Sequence, residues 1–180
     1  GGQIGSDQSF CGSLADPNLL INISNPSGGT GNFEFAWYVS FSSRPFAFSD
    51  HNWILISNAH SAEYDPSIIN HDAFYVRVSR REHCNLYVGI SNIVHVALHP
   101  NPTVAIQSQT NVSCFGAHDG SISAIAAGGA APYEFFWSNS AITSNIGGLA
   151  EGTYSVTIQD QNLCSASTET PITQPADITI

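Results

Sequence analysis

The chemistry open to this chain rests on four cysteines, seven histidines, fourteen carboxylates and a group of aromatics. Metal binding comes first, because His51, His60, His71 and His83 all fall in the first half. Their spacings fit no HxxxH or HExxH pattern, so exposed loop positions are the plainer reading and no metal is expected. His95 and His99 have a ligand spacing for a helix, but they stand in a strand and Pro-rich context. Paired carboxylates could cleave glycosides. Glu34 and Glu134 occupy equivalent places in two similar segments, which points to a shared fold, and no second carboxylate in a cleft is signposted. Asp119-Gly120 and Asp16-Pro17 read as turns, since EF-hand spacing is absent. No GxSxG occurs and no Ser/His/Asp order stands out. No catalytic residue is assigned, and neither an enzyme nor a cofactor is expected.

Aromatics carry the one binding hypothesis. Trp53, Phe46, Phe48 and Tyr38 are candidate glycan contacts, because an amphipathic aromatic face suits a pyranose ring. The plainer reading is that Trp53 covers the edge of its own domain.

The elements that must position these residues come in two copies. GGTGNFEFAW, Gly28 to Trp37, is echoed by GGAAPYEFFW, Gly128 to Trp137, at an offset of 100. Trp37, Trp137, Phe35 and Phe135 are therefore expected in the core. Past each Trp, Phe74, Val76 and Val78 alternate as Tyr154, Val156 and Ile158 do, now at an offset of 80. Cys84 and Cys164 each follow six residues later. Tyr154 joins the expected core. The first copy thus holds 20 extra residues, room for one more hairpin, with NWILIS as a candidate strand.

Period-two alternation, broken by Gly and Pro every 8 to 12 residues or so, predicts an all-β chain of antiparallel β-sandwich domains. Gly147-Gly148 is one of the expected turns. The prolines of His99-Pro100-Asn101-Pro102 stop any strand, which sets domains at 1–100 and 101–180 with a short, stiff join. Residues 174–180 look like a second join. At this size a core alone is marginal, so one internal disulfide is expected in each domain. The repeat pairs Cys11 with Cys84 and Cys114 with Cys164.

Four Arg, no Lys and a formal net charge of -10 argue against nucleic acid and anionic membranes as partners. No apolar run is long enough to insert in a membrane. An even cysteine count without CxxC, in an acidic, Ser/Asn/Thr-rich chain, reads as extracellular. Absence of Met predicts a processed product or a window on something longer.

The second copy resembles a known family. Cys114-Phe115-Gly116, Asp119-Gly120-Ser121-Ile122, Gly128-Gly129 with Pro132-Tyr133, Trp137-Ser138, Leu149 with Gly152-Thr153-Tyr154, Cys164 and ITQPADITI follow one order. That order is similar to the SprB repeat of Bacteroidetes gliding-motility adhesins, over residues 103–180. The first copy resembles an immunoglobulin-like module of the same kind of secreted protein. Its carriers are Gly5-Ser6-Asp7-Gln8, Pro26-Ser27-Gly28-Gly29 with Trp37, Asn52-Trp53, Ser61 to Pro66, and Phe74-Tyr75 with Arg77. The resemblance implies a non-catalytic adhesive or stalk segment of a long cell-surface protein exported by the type IX route. Neighbouring repeats would be its partners. Two other readings remain open: a carbohydrate-binding pair on a secreted hydrolase, and a filament subunit in which identical chains exchange strands.

Overall fold

The computed structural model describes residues 2–42, 48–49 and 52–178. Among these every regular element is a strand, and no helix occurs. The chain divides into two compact units, Gly1–Leu98 and His99–Ile180.

The first unit contains β1 (Gln3–Ile4), β2 (Gln8–Cys11), β3 (Asn22–Ser24), β4 (Phe33–Ser40), β5 (Ile54–Leu55), β6 (Ala73–Arg81), β7 (Gly89–Ile90) and β8 (Val94–His99). Strands β1 and β3 pair as a small sheet, and the larger sheet runs β2-β8-β6-β4-β5 with β7 beside β6. Its centre is the antiparallel pair β4 and β6, in register from Phe33 opposite Arg81 to Ser40 opposite Phe74. The NWILIS segment supplies β5, an edge strand that pairs with Tyr38 and Val39. The core lies on the Trp37 face and gathers Ile4, Leu20, Trp37, Val39, Tyr75, Val94 and Val96.

That register corrects the expected second echo. Trp37 faces Arg77 across the pair, so the core face of β6 is Tyr75, Arg77 and Ser79. Phe74, Val76 and Val78 occupy the opposite face, which is also covered. In the second unit Trp137 faces Val156. Structural equivalence therefore runs at an offset of 79, from Arg77 to Val156. A one-residue shift exchanges the two faces of a strand, and burial on both faces of β6 hides it from hydropathy.

The second unit contains β9 (Pro102–Thr110), β10 (Gly120–Gly128), β11 (Glu134–Trp137), β12 (Asn145–Leu149), β13 (Gly152–Gln159) and β14 (Ser165–Ile172). Two three-stranded antiparallel sheets form, β12-β10-β9 and β11-β13-β14. They contribute to one core of Ile122, Trp137, Ile146, Leu149, Val156, Ile158 and Ile172, against which Phe135 and Tyr154 pack half-buried. Gly147-Gly148 lies inside β12 and is not a turn. Gly120 pairs with Leu149 but Ser121 with Gly147, so Gly148, at φ 70°, is the extra residue of a bulge.

Candidate functional site

Both core tryptophans are anchored through their ring nitrogens. Trp37, fully buried, donates Nε1–H to the Ser61 carbonyl at 2.9 Å; Trp137 donates to Thr143 at 2.8 Å. Phe35 is buried as well. Beside Trp37 lies a residue that alternation could not flag as special, Arg77, which is fully buried. Its Nη1 donates to Asn22 Oδ1 at 2.8 Å and to the Ala62 carbonyl at 2.6 Å, and its Nη2 donates to the Ser24 carbonyl at 3.3 Å. The guanidinium also sits 4.8 Å from the Phe35 ring centre. Burial lowers its pKa from the ordinary value. It ties β3 and the loop before Tyr64 onto the central strands. On the same face, burial and the neighbouring Tyr64 push the Tyr75 hydroxyl up to about 12.

The carboxylate and histidine candidates stay dispersed. Glu34 accepts a 2.6 Å hydrogen bond from Arg80 Nε directly across the strand pair, and Glu134 stands opposite Gln159. Asp72 accepts from Leu98 N–H at 2.9 Å and lies 3.0 Å from His95 Nε2, whose ring stacks on Phe74. His60 Nδ1 lies 3.3 Å from the Phe35 carbonyl, and His71 contacts Asn70 and Phe41. Among the described residues no three His, Cys, Asp or Glu side chains gather as metal ligands. His51 lies outside those residues.

Of the candidate glycan contacts, Phe46 lies outside the described residues. The other three form a run of ring contacts: Tyr38 to Phe48 at 4.9 Å, edge on, and Phe48 to Trp53 at 6.1 Å. All three are half-buried, on the face of β4 that Tyr38 shares with Val76. A cavity of about 300 Å³ opens nearby at the β5 edge, lined by Phe41, Leu55, Ile68, His71 and Tyr75 among others. Sequence reasoning missed it. The available signal was the pair Ile54-Leu55, two adjacent apolar residues on a strand where alternation would place one.

The cysteines overturn the expected pairing. Cys11 and Cys164 are disulfide-bonded, whereas Cys84 and Cys114 carry free, exposed thiols. Neither the pair Cys11–Cys84 nor Cys114–Cys164 forms. In the first unit Ile4 N–H donates to Asn92 and His95 N–H to Asp7, so β2 advances with β8 toward His99. Along β6, strand β8 pairs with Ala73, Phe74 and Tyr75, at the start of that strand. Cys84 follows the far end of β6, so the length of that nine-residue strand, roughly 25 Å, separates the two. In the second unit Cys164 sits in the turn before β14. The Cys114 loop meets residues after β14, through Val112 N–H to Thr173 O and Gly116 N–H to Gln174. Disulfides rarely bridge Cα atoms more than about 7 Å apart.

The Gly128-Gly129 loop is held by Asp160, which is buried. Its Oδ2 accepts from Ala130 N–H, and its Oδ1 from Asn162 and Cys164 N–H, each at 2.9 Å. Burial alone would raise this carboxyl, but the bonds from Ala130, Cys164 and Asn162 outweigh it and hold the pKa below the ordinary value. Tyr133 Oη closes the loop from above, donating to the Gly128 carbonyl at 2.5 Å. Residues 106–142 match the SprB repeat. The SprB match starts within β9, takes in β10, the Gly128-Gly129 loop and β11, and ends after Trp137. None of the curated proteins matches this chain. Among solved structures, the N-terminal eight Ig domains of Down syndrome cell adhesion molecule isoform 1.30.30 align over 95% of this chain at 11% identity with a TM-score of 0.48. This chain spans 27% of that structure. An amphioxus IgVJ-C2 molecule aligns over 92% of this chain and 99% of its own at 11% identity with a TM-score of 0.38.

The loop of the first unit that corresponds to this SprB loop is closed by the opposite charge. Arg81, at the offset of 79 from Asp160, donates from Nε to Gly28 O at 2.8 Å and from Nη1 to Gly31 O at 2.5 Å. Its guanidinium lies 3.5 Å over the ring of Phe33, the counterpart of Tyr133.

Proposed function

We propose that this chain is a non-catalytic, adhesive and structural segment of a long secreted or cell-surface protein of a Bacteroidetes-type bacterium. Residues 1–100 would form an immunoglobulin-like sandwich with an extra hairpin, and residues 101–180 an SprB-type sandwich. The observation that carries this reading is the SprB match over residues 106–142, which falls on the strands that build one packed core. Supporting it, the side chains able to do chemistry are engaged in the fold: Glu34 with Arg80, Asp72 with Leu98, Asp160 with its loop. Short antiparallel sheets around anchored tryptophans suit a load-bearing spacer. A net charge of -10 keeps neighbouring chains apart. Neighbouring repeats of the same protein would be its partners, and gliding or type IX export its setting.

Beads coated with the purified chain test the adhesive part. Retention on glass or polysaccharide above that of albumin-coated beads is expected under gentle flow. Retention equal to albumin would leave a spacer without adhesive function. The run of rings Tyr38, Phe48 and Trp53 favours a second reading, sugar stacking by the first unit. Trp53→Ala separates the two: unchanged retention on polysaccharide removes the sugar-stacking reading, and selective loss installs it.

A further inference from the structure

The floor of the cavity in the first unit is made by two residues that stand opposite each other on the central strands, Val39 of β4 and Tyr75 of β6, both buried. Its walls are the edge strand β5, through Leu55 with Ile56 just beyond it, and the segment from Tyr64 to His71. That segment is held in place, because Tyr64 pairs with Leu20 and Ile69 with Ala15 through backbone hydrogen bonds in both directions. Of the polar lining groups, Asn70 and His71 are exposed and engage each other. Tyr75 differs from them. It is 3% exposed and lines the cavity, yet among the described residues no hydrogen bond reaches its hydroxyl. The corresponding tyrosine of the second unit, Tyr154 at the offset of 79, donates to the Ala150 carbonyl at 3.2 Å. A phenol that the fold satisfies in one unit is thus left open to a cavity in the other, and a buried hydroxyl without a partner is costly.

We infer that this cavity is a binding site for a small neutral molecule, apolar except for one acceptor oxygen that takes a hydrogen bond from the Tyr75 hydroxyl. Val39, Leu55, Ile56, Ile68 and Ile69 give it apolar walls, as ligand sites commonly have, and leave few polar groups to fix orientation. Among the described residues no Lys, Arg, Asp or Glu lines the cavity, so a charged ligand would lose its water without gaining a counter-ion. A volume of about 300 Å³ equals about ten waters at roughly 30 Å³ each, which sets the ligand at about ten non-hydrogen atoms. Burial and the neighbouring Tyr64 hold the Tyr75 pKa up at about 12, so the phenol keeps its proton at neutral pH and is the donor. A pyranose fits poorly, because its hydroxyls would meet mainly apolar walls. The inference stands apart from the adhesive reading, since it needs only the cavity of the first unit and the open hydroxyl within it.

The test uses the full chain and two probes of nearly the same size and shape, acetophenone and isopropylbenzene, followed by methyl and aromatic NMR. Acetophenone is expected to give saturable shifts at the Val39, Leu55, Ile68 and Ile69 methyls and at the Tyr75 ring. Tyr75→Phe keeps the ring and removes the hydroxyl. It is expected to weaken acetophenone about ten-fold, the worth of one hydrogen bond, and to leave isopropylbenzene unchanged. Benzoate, an anion of matching size, is expected to leave these signals unmoved in mildly alkaline buffer. No saturable shift with acetophenone, shifts confined to other residues, or no selective weakening in Tyr75→Phe would each overturn the inference. So would benzoate that binds as tightly as acetophenone. Shifts at the same methyls that grow with protein concentration, without any probe, would give the cavity to a second copy and overturn it too. Wild type decides the matter even without the variant: the carbonyl stretch of bound acetophenone should fall below its value in hexane, and a hexane-like value would mean that no hydroxyl donates to it.

Discussion

Gly28-Gly29 and Gly128-Gly129 head equivalent loops, yet opposite charges hold them. Arg81 donates to loop carbonyls in the first unit, and Asp160 accepts from loop and turn amides in the second. The exchange is workable because every peptide presents a donor and an acceptor, so turning the loop backbone over lets either sign satisfy it. What must persist is a charged side chain at the last residue of β6 or just past β13, and an aromatic at position 33 or 133. The same logic explains Arg77 in place of Val156. A buried cation is tolerated where Asn22, Ser24 and Ala62 offer oxygens, and its stem fills the space of an apolar side chain.

Breaking the glycine rule should affect the two loops unequally. Gly129, at φ 58°, would place an added Cβ against Asp160 Oδ2 and Pro102, so Gly129→Ala should cost the second unit about 3 kcal/mol. Gly29, at φ 72°, meets only the flexible Arg81 side chain, so Gly29→Ala should cost roughly half as much. Urea unfolding followed by hydrogen exchange on peptides of each unit would show the difference; equal losses would mean the anion clamp is no stiffer than the cation clamp.

Arg77→Met keeps the stem and strips the donors, leaving buried oxygens without partners. A loss of about 2 kcal/mol is expected, confined to the first unit. Exchange protection in β1 and β3 should fall before that in β4 and β6. A neutral result would make the buried cation dispensable.

Acid should sharpen the contrast. Because Asp160 titrates below the ordinary aspartate value of 3.8, its contribution is complete above that value and is lost as pH falls through the lower folded one. Unit two should therefore weaken on acidification, and Asp160→Asn should flatten that slope while leaving unit one unchanged. Slopes that stay the same in the variant would remove the carboxylate from the clamp. Smallest of all is Arg81→Ala, a partly exposed contact worth under about 1 kcal/mol, read as faster exchange in residues 28–31 alone.

Much of the fold was legible in the sequence. The repeated aromatic-Glu-Phe-Trp words located the central strands and their tryptophans by recurring in register, and in β11 the alternation of exposed and covered residues adds a period-two imprint. The imprint failed in β6, where both faces are covered and Val76 and Val78 look as core-like as Tyr75. The Gly147-Gly148 pair was misread for a related reason: a bulge inside a strand and a turn between strands both call for a glycine at positive φ. Cysteine pairing was out of reach. Repeat position says where a residue lies along each unit, while a disulfide depends on which end of a sheet that place occupies. Asp160 and Arg81 went unseen because a clamp defined by backbone partners leaves no side-chain motif.

The most direct test of the account takes cells of the native source, intact or shaved with protease, and blots a reduced gel with antibody to this chain. A band far above 19.2 kDa that disappears on shaving is the predicted result for a segment of a long surface protein. A band near 19 kDa that survives shaving would contradict it.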